Sequence, residues 1–115
     1  MNRILKPELL ELEQKKVKKE KDNERLEKKL KTYESKLPKN ILDVYILENI
    51  DGIYIIKDDL GNIVTSLDIE NVMEREIFKE AEMSISDYNE CYKSISNNNK
   101  EIRSIDERIK YINNN

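Results

Sequence analysis

Residues 41–67, ILDVYILENIDGIYIIKDDLGNIVTSL, decide the fold because they interrupt two longer stretches of a different period. Val44-Tyr45-Ile46-Leu47, Ile53-Tyr54-Ile55-Ile56 and Ile63-Val64-Thr65 are β-branched and aromatic runs, the composition of strands. Asp51-Gly52 between the first two is a tight-turn dipeptide. Asp58-Asp59-Leu60-Gly61-Asn62 supplies the next turn, with Gly61 at its positive-φ position. The expected element is a small three-stranded antiparallel β module whose last strand runs through Ile63–Leu67.

On the N-terminal side the period changes to that of a helix. Leu5, Leu9, Leu12, Lys16, Lys19, Asn23, Leu26, Leu30, Tyr33 and Leu37 step by four and three, which is a heptad seam. Pro7 suits the first turn, where its missing N–H costs nothing, and Pro38 ends the run by excluding its predecessor from the helical region. The predicted helix is 7–37. On the C-terminal side Ile77, Ala81, Ser84, Tyr88, Cys91, Ile95, Asn98, Ile102, Ile105, Ile109 and Ile112 repeat the alternation, which predicts a second helix over 69–112 with Asp68 as its N-cap. Ser84–Asp87 and Asn97–Asn99 are poor helix formers, but the seam keeps its phase across both, so one continuous helix is expected.

The fold class is therefore α+β, mainly α: a single domain built as an antiparallel coiled-coil hairpin with the β module between its helices. Placing Leu37 opposite Ile77 sets Lys16 against Asn98, Lys19 against Ile95 and Asn23 against Cys91. Polar layers then meet weak layers, a device that fixes register at some cost in stability. The rival arrangement pairs each helix with its equivalent in another chain. The seam residues of most interest are Leu9, Leu12, Lys16, Leu26, Leu30, Tyr88, Ile95, Asn98, Ile102 and Ile105.

Composition narrows the function. Of 115 residues 39% are charged and 37% hydrophobic, with two Gly, one Cys and no His. Without His there is no Ser-His or Cys-His nucleophile, no imidazole base and no ordinary zinc site. Two glycines cannot make a phosphate-cradling loop, and one Cys makes no internal disulfide. Asp51, Asp58 and Asp59 read as turn residues and lack the EF-hand spacing for calcium; Cys91 reads as a small buried hydrophobe; the Tyr88–Tyr92 pair reads as packing. The expectation is a non-enzyme without cofactor, metal or small-molecule ligand.

No signal peptide is visible and the apolar runs are too short for a membrane span, so the expected location is the cytoplasm, or a virion if the chain is phage-encoded. The first 37 residues carry 12 basic and 8 acidic side chains, whereas 38–69 carry 2 and 6 and 70–115 carry 7 and 10. Lys15, Lys16, Lys18, Lys19 and Lys21 are interleaved with acids and no aromatic stands among them, so a solvated helix face is favoured over nucleic-acid contact. The bias to Ile, Lys and Asn is that of an AT-rich genome, which fits a phage or mobile-element part.

The strands place apolar residues on both faces, the pattern of strands covered twice. A helix hairpin covers one face, so Val44, Ile46, Ile53, Ile55, Ile63 and Leu67 are expected to join subunits; the other solution folds Val72, Met73 and Phe78 over the second face. Protein partners, as a homo-oligomer or with other subunits, follow from this.

Helix, strands and helix in this order, with Val44-Tyr45 leading through Gly52 to Ile53-Tyr54-Ile55-Ile56-Lys57-Asp58, resembles the β-type subunit of prefoldin. The resemblance implies β modules gathered into a hub and helix tips that hold non-native proteins. The tips would be Met1, Ile4 and Leu5 with Ile109, Tyr111 and Ile112. The readings carried forward are a structural or assembly component (a tail or baseplate part, or an assembly chaperone), a prefoldin-like holdase, and a small protein inhibitor of a host enzyme.

Overall fold

The computed structural model describes residues 6–114. Its elements in chain order are α1 (Lys6–Ser35), β1 (Asn40–Ile41), β2 (Tyr45–Ile50), β3 (Ile53–Lys57), a 3-10 turn (Ser66–Asp68) and α2 (Val72–Asn113). Two long helices thus bracket a three-stranded antiparallel sheet of order β1-β2-β3. Residues Lys29–Tyr92 form one compact unit; the residues up to Lys28 and from Lys93 onward form another.

Within the first unit the sheet and both flanking helix segments share one core. Ile41, Ile56, Ile69, Phe78, Ala81 and Ile85 are buried together, with Leu37, Tyr45, Leu47, Tyr54 and Val64 packed against them. Phe78 has no exposed surface and meets the Tyr45 ring edge-on, centroids 5.3 Å apart. Tyr54 meets Tyr88 the same way at 5.0 Å. Such aromatic pairs add about 0.5–1.5 kcal/mol to the area they bury.

The third strand is not where the sequence put it. Ile63–Leu67 contributes one bridge, Lys57 to Ile63, and then turns into the 3-10 segment, where Asp68 accepts from the Thr65 N–H at 2.8 Å. The sheet gains its third strand on the opposite edge instead, where Asn40–Ile41 pairs with Tyr45 and Ile46 of β2. That hairpin turns on Leu42 and Asp43 with φ of 55° and 58°, closed by Val44 N–H donating to the Ile41 carbonyl at 3.3 Å. Leucine rarely adopts this conformation; here its side chain packs on the core, which offsets the strain. Asp68 is also not the cap of α2: Asn71 Oδ1 accepts from Glu74 N–H at 3.0 Å.

In the second unit the helices run antiparallel and pair through their seams. Leu9, Leu12, Lys16, Lys19 and Leu26 are half-buried and Asn23 is buried, while their neighbours around the helix are mostly exposed. Opposite them Ile95 and Ile105 are buried and Asn98 and Ile102 half-buried. The register differs from the expected one. Asn23 meets Asn98 and Asn99 instead of Cys91, Lys16 pairs with Asp106 at 2.6 Å instead of facing Asn98, and Lys19 pairs with Glu101 instead of facing Ile95. α2 is displaced by about one heptad. The anchor used to set the register is the cause: Ile77 is 51% exposed while its neighbour Phe78 is fully enclosed. The inward stripe at the start of α2 is Phe78, Ala81, Ile85 and Tyr88, with Ser84 half-buried beside it. α2 runs unbroken through Ser84–Asp87 and Asn97–Asn99.

Candidate interaction surfaces

Strand register assigns the sheet its two faces. Leu47 pairs with Ile56 and Asn49 with Tyr54, and these point to the core side; Ile46 pairs with Lys57, Glu48 with Ile55 and Ile50 with Ile53 on the other side. The outer face is therefore four isoleucines and one ion pair, Lys57 Nζ to Glu48 at 2.5 Å. Ile46 is 57% and Ile50 43% exposed, and Ile53 and Ile55 are half-buried. Val44, Ile63 and Leu67 are exposed as well. The start of α2 does not fold over this face: Val72 and Met73 are exposed and Phe78 serves the inner core.

The edge of β3 is closed, a feature missed in the sequence. Asn89, on α2, presents its amide to the backbone of Tyr54 in both directions: Oδ1 accepts the Tyr54 N–H at 2.8 Å, and Nδ2 donates to the Tyr54 carbonyl at 2.9 Å. The side chain thus takes the place of a neighbouring strand. Further along, Val64 N–H donates to the Ile56 carbonyl at 3.0 Å and Asp58 N–H to the Asn62 carbonyl at 2.9 Å. An open strand edge templates pairing with other chains; here most of β3's edge is occupied from within the chain. No pattern in one sequence marks a helical Asn for this task.

The turn carboxylates serve turns. Asp58 Oδ1 accepts from Leu60 N–H and Asn62 N–H at 3.0 and 2.8 Å, and the Asn62 backbone above all holds its carboxyl below the usual range. Asn49 Oδ1 accepts from Gly52 N–H at 2.9 Å, bracing the β2–β3 turn. Among the described residues no group of three or more carboxylates and Cys could hold a metal ion. Burial, ahead of the nearby Tyr54, pushes the Tyr88 phenol up. Cys91 is buried in the seam.

At the far end of the helices, Ile112 is 2% exposed, so it is enclosed and offers no open tip, contrary to its expected place in a partner-binding patch. Ile109 is half-buried, and Tyr111 is exposed with the Arg108 guanidinium 5.2 Å from its ring. Met1, Ile4 and Leu5 lie outside the described residues.

The second unit carries a groove of about 1050 Å³ with Leu12 and Ile105 among its lining. Lys15, Lys18, Lys19, Lys21, Arg25 and Lys100 line it too, against two acids, Asp22 and Glu101. Both acids are engaged: Asp22 accepts from Arg25 at 2.6 Å and from Asn98 at 3.2 Å, which hold its carboxyl below the usual range, and Glu101 pairs with Lys19. Lys15, Lys18, Lys21 and Lys100 make no ion pair among the described residues. No described helix is long and apolar enough to cross a membrane. No protein-family model, curated protein or solved structure matches the chain.

Proposed function

We propose that the chain is a non-enzymatic assembly element whose outer sheet face joins it to further copies or to other protein subunits, the paired helices acting as spacer or clamp. One observation carries this reading. On the outer sheet face Ile46 and Ile50 stand open, with Ile53 and Ile55 half-buried across the strand from them. Scattered apolar residues on a surface need no explanation, whereas a concentrated patch marks an interface. Most of the β3 edge is occupied, so the contact runs face to face. Fully burying Ile46 and Ile50 in such a contact is worth at most about 1.5–3 kcal/mol each before ordering losses. A hub of β modules is also what the prefoldin resemblance implies, and a structural or assembly part of a phage or mobile element is the setting that the composition fits.

The test is the native mass of the wild type beside Ile46→Asp, at tens of micromolar protein (~10–100 µM, bracketing contacts of micromolar strength) and high salt to screen exposed charge contacts. Ile46 is over half exposed, so the substitution leaves the monomer's core alone. The expected result is an oligomer for wild type and a smaller species for the variant, with equal helix content by circular dichroism. A monomeric wild type, or one mass for both proteins, refutes the reading.

A further inference from the structure

The basic groove has a counterpart in the same chain. The outward side of α2's first turns carries Met73, the adjacent Glu76 and Ile77, then Glu80, Met83 and Asp87, one turn apart in succession so that they share one face of the helix. Met73, Ile77 and Met83 are 79%, 51% and 68% exposed, and Glu76, Glu80 and Asp87 are exposed among them. Glu76 has Lys79 at 3.4 Å; the Glu80 and Asp87 carboxylates have no partner among the described residues. This stripe is apolar and acidic, while the groove is lined by apolar Leu12 and Ile105 and by four lysines without carboxylate partners.

We propose that the groove receives the α2 stripe of a second copy of this chain, with Lys15 and Lys18 meeting Glu76 and Glu80 while the methionines reach Leu12 and Ile105. Methionine suits such a site because its flexible thioether fills irregular gaps. A bare polyanion would satisfy the lysines and leave the apolar residues unused. Groove and stripe are different surfaces, so the contact is head-to-tail and builds rings or open chains. It stands apart from the sheet contact, and its test removes that contact first.

In full-length protein carrying Ile46→Asp, sedimentation velocity at low and high salt reads the association. Self-association that weakens about tenfold or more on raising the salt is expected, since exposed charges are screened beyond a Debye length. Lys15→Glu/Lys18→Glu and Glu76→Lys/Glu80→Lys should each be monomeric, and the variant carrying all four reversals should associate again. The reversed residues are exposed, and circular dichroism checks that each variant remains folded. Three results overturn the proposal: a monomeric Ile46→Asp parent at low salt, association that survives either reversal, or a folded four-fold variant that stays monomeric. A monomeric parent that binds heparin through Lys15 and Lys18 would assign the groove to polyanions instead.

Discussion

Replacing Gly52 by alanine combines two costs, and Gly61→Ala isolates one of them. Both glycines have positive φ, 92° and 85°, where an added Cβ meets the following carbonyl and costs about 1–2 kcal/mol. At Gly61 the new methyl would enter open space, whereas at Gly52 it would run into the ring of Tyr92. Tyr92 is half-buried beneath the β2–β3 turn, so its ring must leave that place or the turn must lift. Forcing such overlap costs about 1–3 kcal/mol. Gly61→Ala should therefore destabilise by about 1–2 kcal/mol and Gly52→Ala by about 2–5 kcal/mol. Tyr92→Ala removes the obstacle, so the double variant should recover the overlap part, a coupling of about 1–3 kcal/mol in a double-mutant cycle. Urea unfolding followed by far-ultraviolet circular dichroism measures all four proteins. Equal losses at the two glycines, or strict additivity between Gly52→Ala and Tyr92→Ala, would refute the reasoning.

The buried polar layer gives a different kind of outcome. Asn23→Leu loses the hydrogen bonds to Asn98 and Asn99, both 2.9 Å, worth about 1–3 kcal/mol together, and gains a buried leucine worth about 1.5–3 kcal/mol. Stability should change little, while pairing of spin labels across the helices should broaden into more than one register; a single sharp distance would contradict a register role. At the Asp58 turn, the folded carboxyl titrates below the unfolded one, so its contribution is present above the ordinary aspartate pKa of about 4 and is lost as pH falls through the depressed value. The stability advantage of wild type over Asp58→Asn should accordingly shrink on acidification, and an advantage that grows toward low pH in urea titrations would reverse that assignment.

The helices and their faces were legible because a seam repeats its signal many times. Every half-buried hydrophobic position of α1 from Leu9 to Tyr33 lies on the alternation of four and three. The β2–β3 hairpin was legible because Asp51 and Gly52, both at positive φ, are residues that favour that turn. β1 was not, since its turn uses Leu42, whose strained φ is held by packing on residues distant in sequence. Ile63–Leu67 has strand composition but meets little of β3, and composition alone does not distinguish a strand from an edge cover. The outer sheet face could be anticipated from apolar residues on both sides of the strands. Neither Asn89 at the sheet edge nor the sorting of α1's lysines toward one groove leaves a mark in a linear charge count.

The register shows why phase and alignment are separate problems. A heptad repeat says which residues face the partner helix, but sliding the partner by a whole heptad leaves every seam residue facing inward. Something outside the repeat must choose. In the sheet unit, Phe78 goes inside and Ile77 outside, because a ring that meets Tyr45 edge-on fills the space over the sheet that the seam's phase would have given to isoleucine. In the helical unit, Asn23 chooses Asn98 and Asn99, since a buried amide opposite Cys91 would lose partners at about 1–3 kcal/mol. Lys16 likewise finds Asp106 and Lys19 finds Glu101; such half-exposed pairs add little stability, but they disfavour a slip that would set the Lys19 ammonium against Ile95. The scarcity of apolar residues is thus part of the alignment: with fewer leucine layers to satisfy, the polar ones decide.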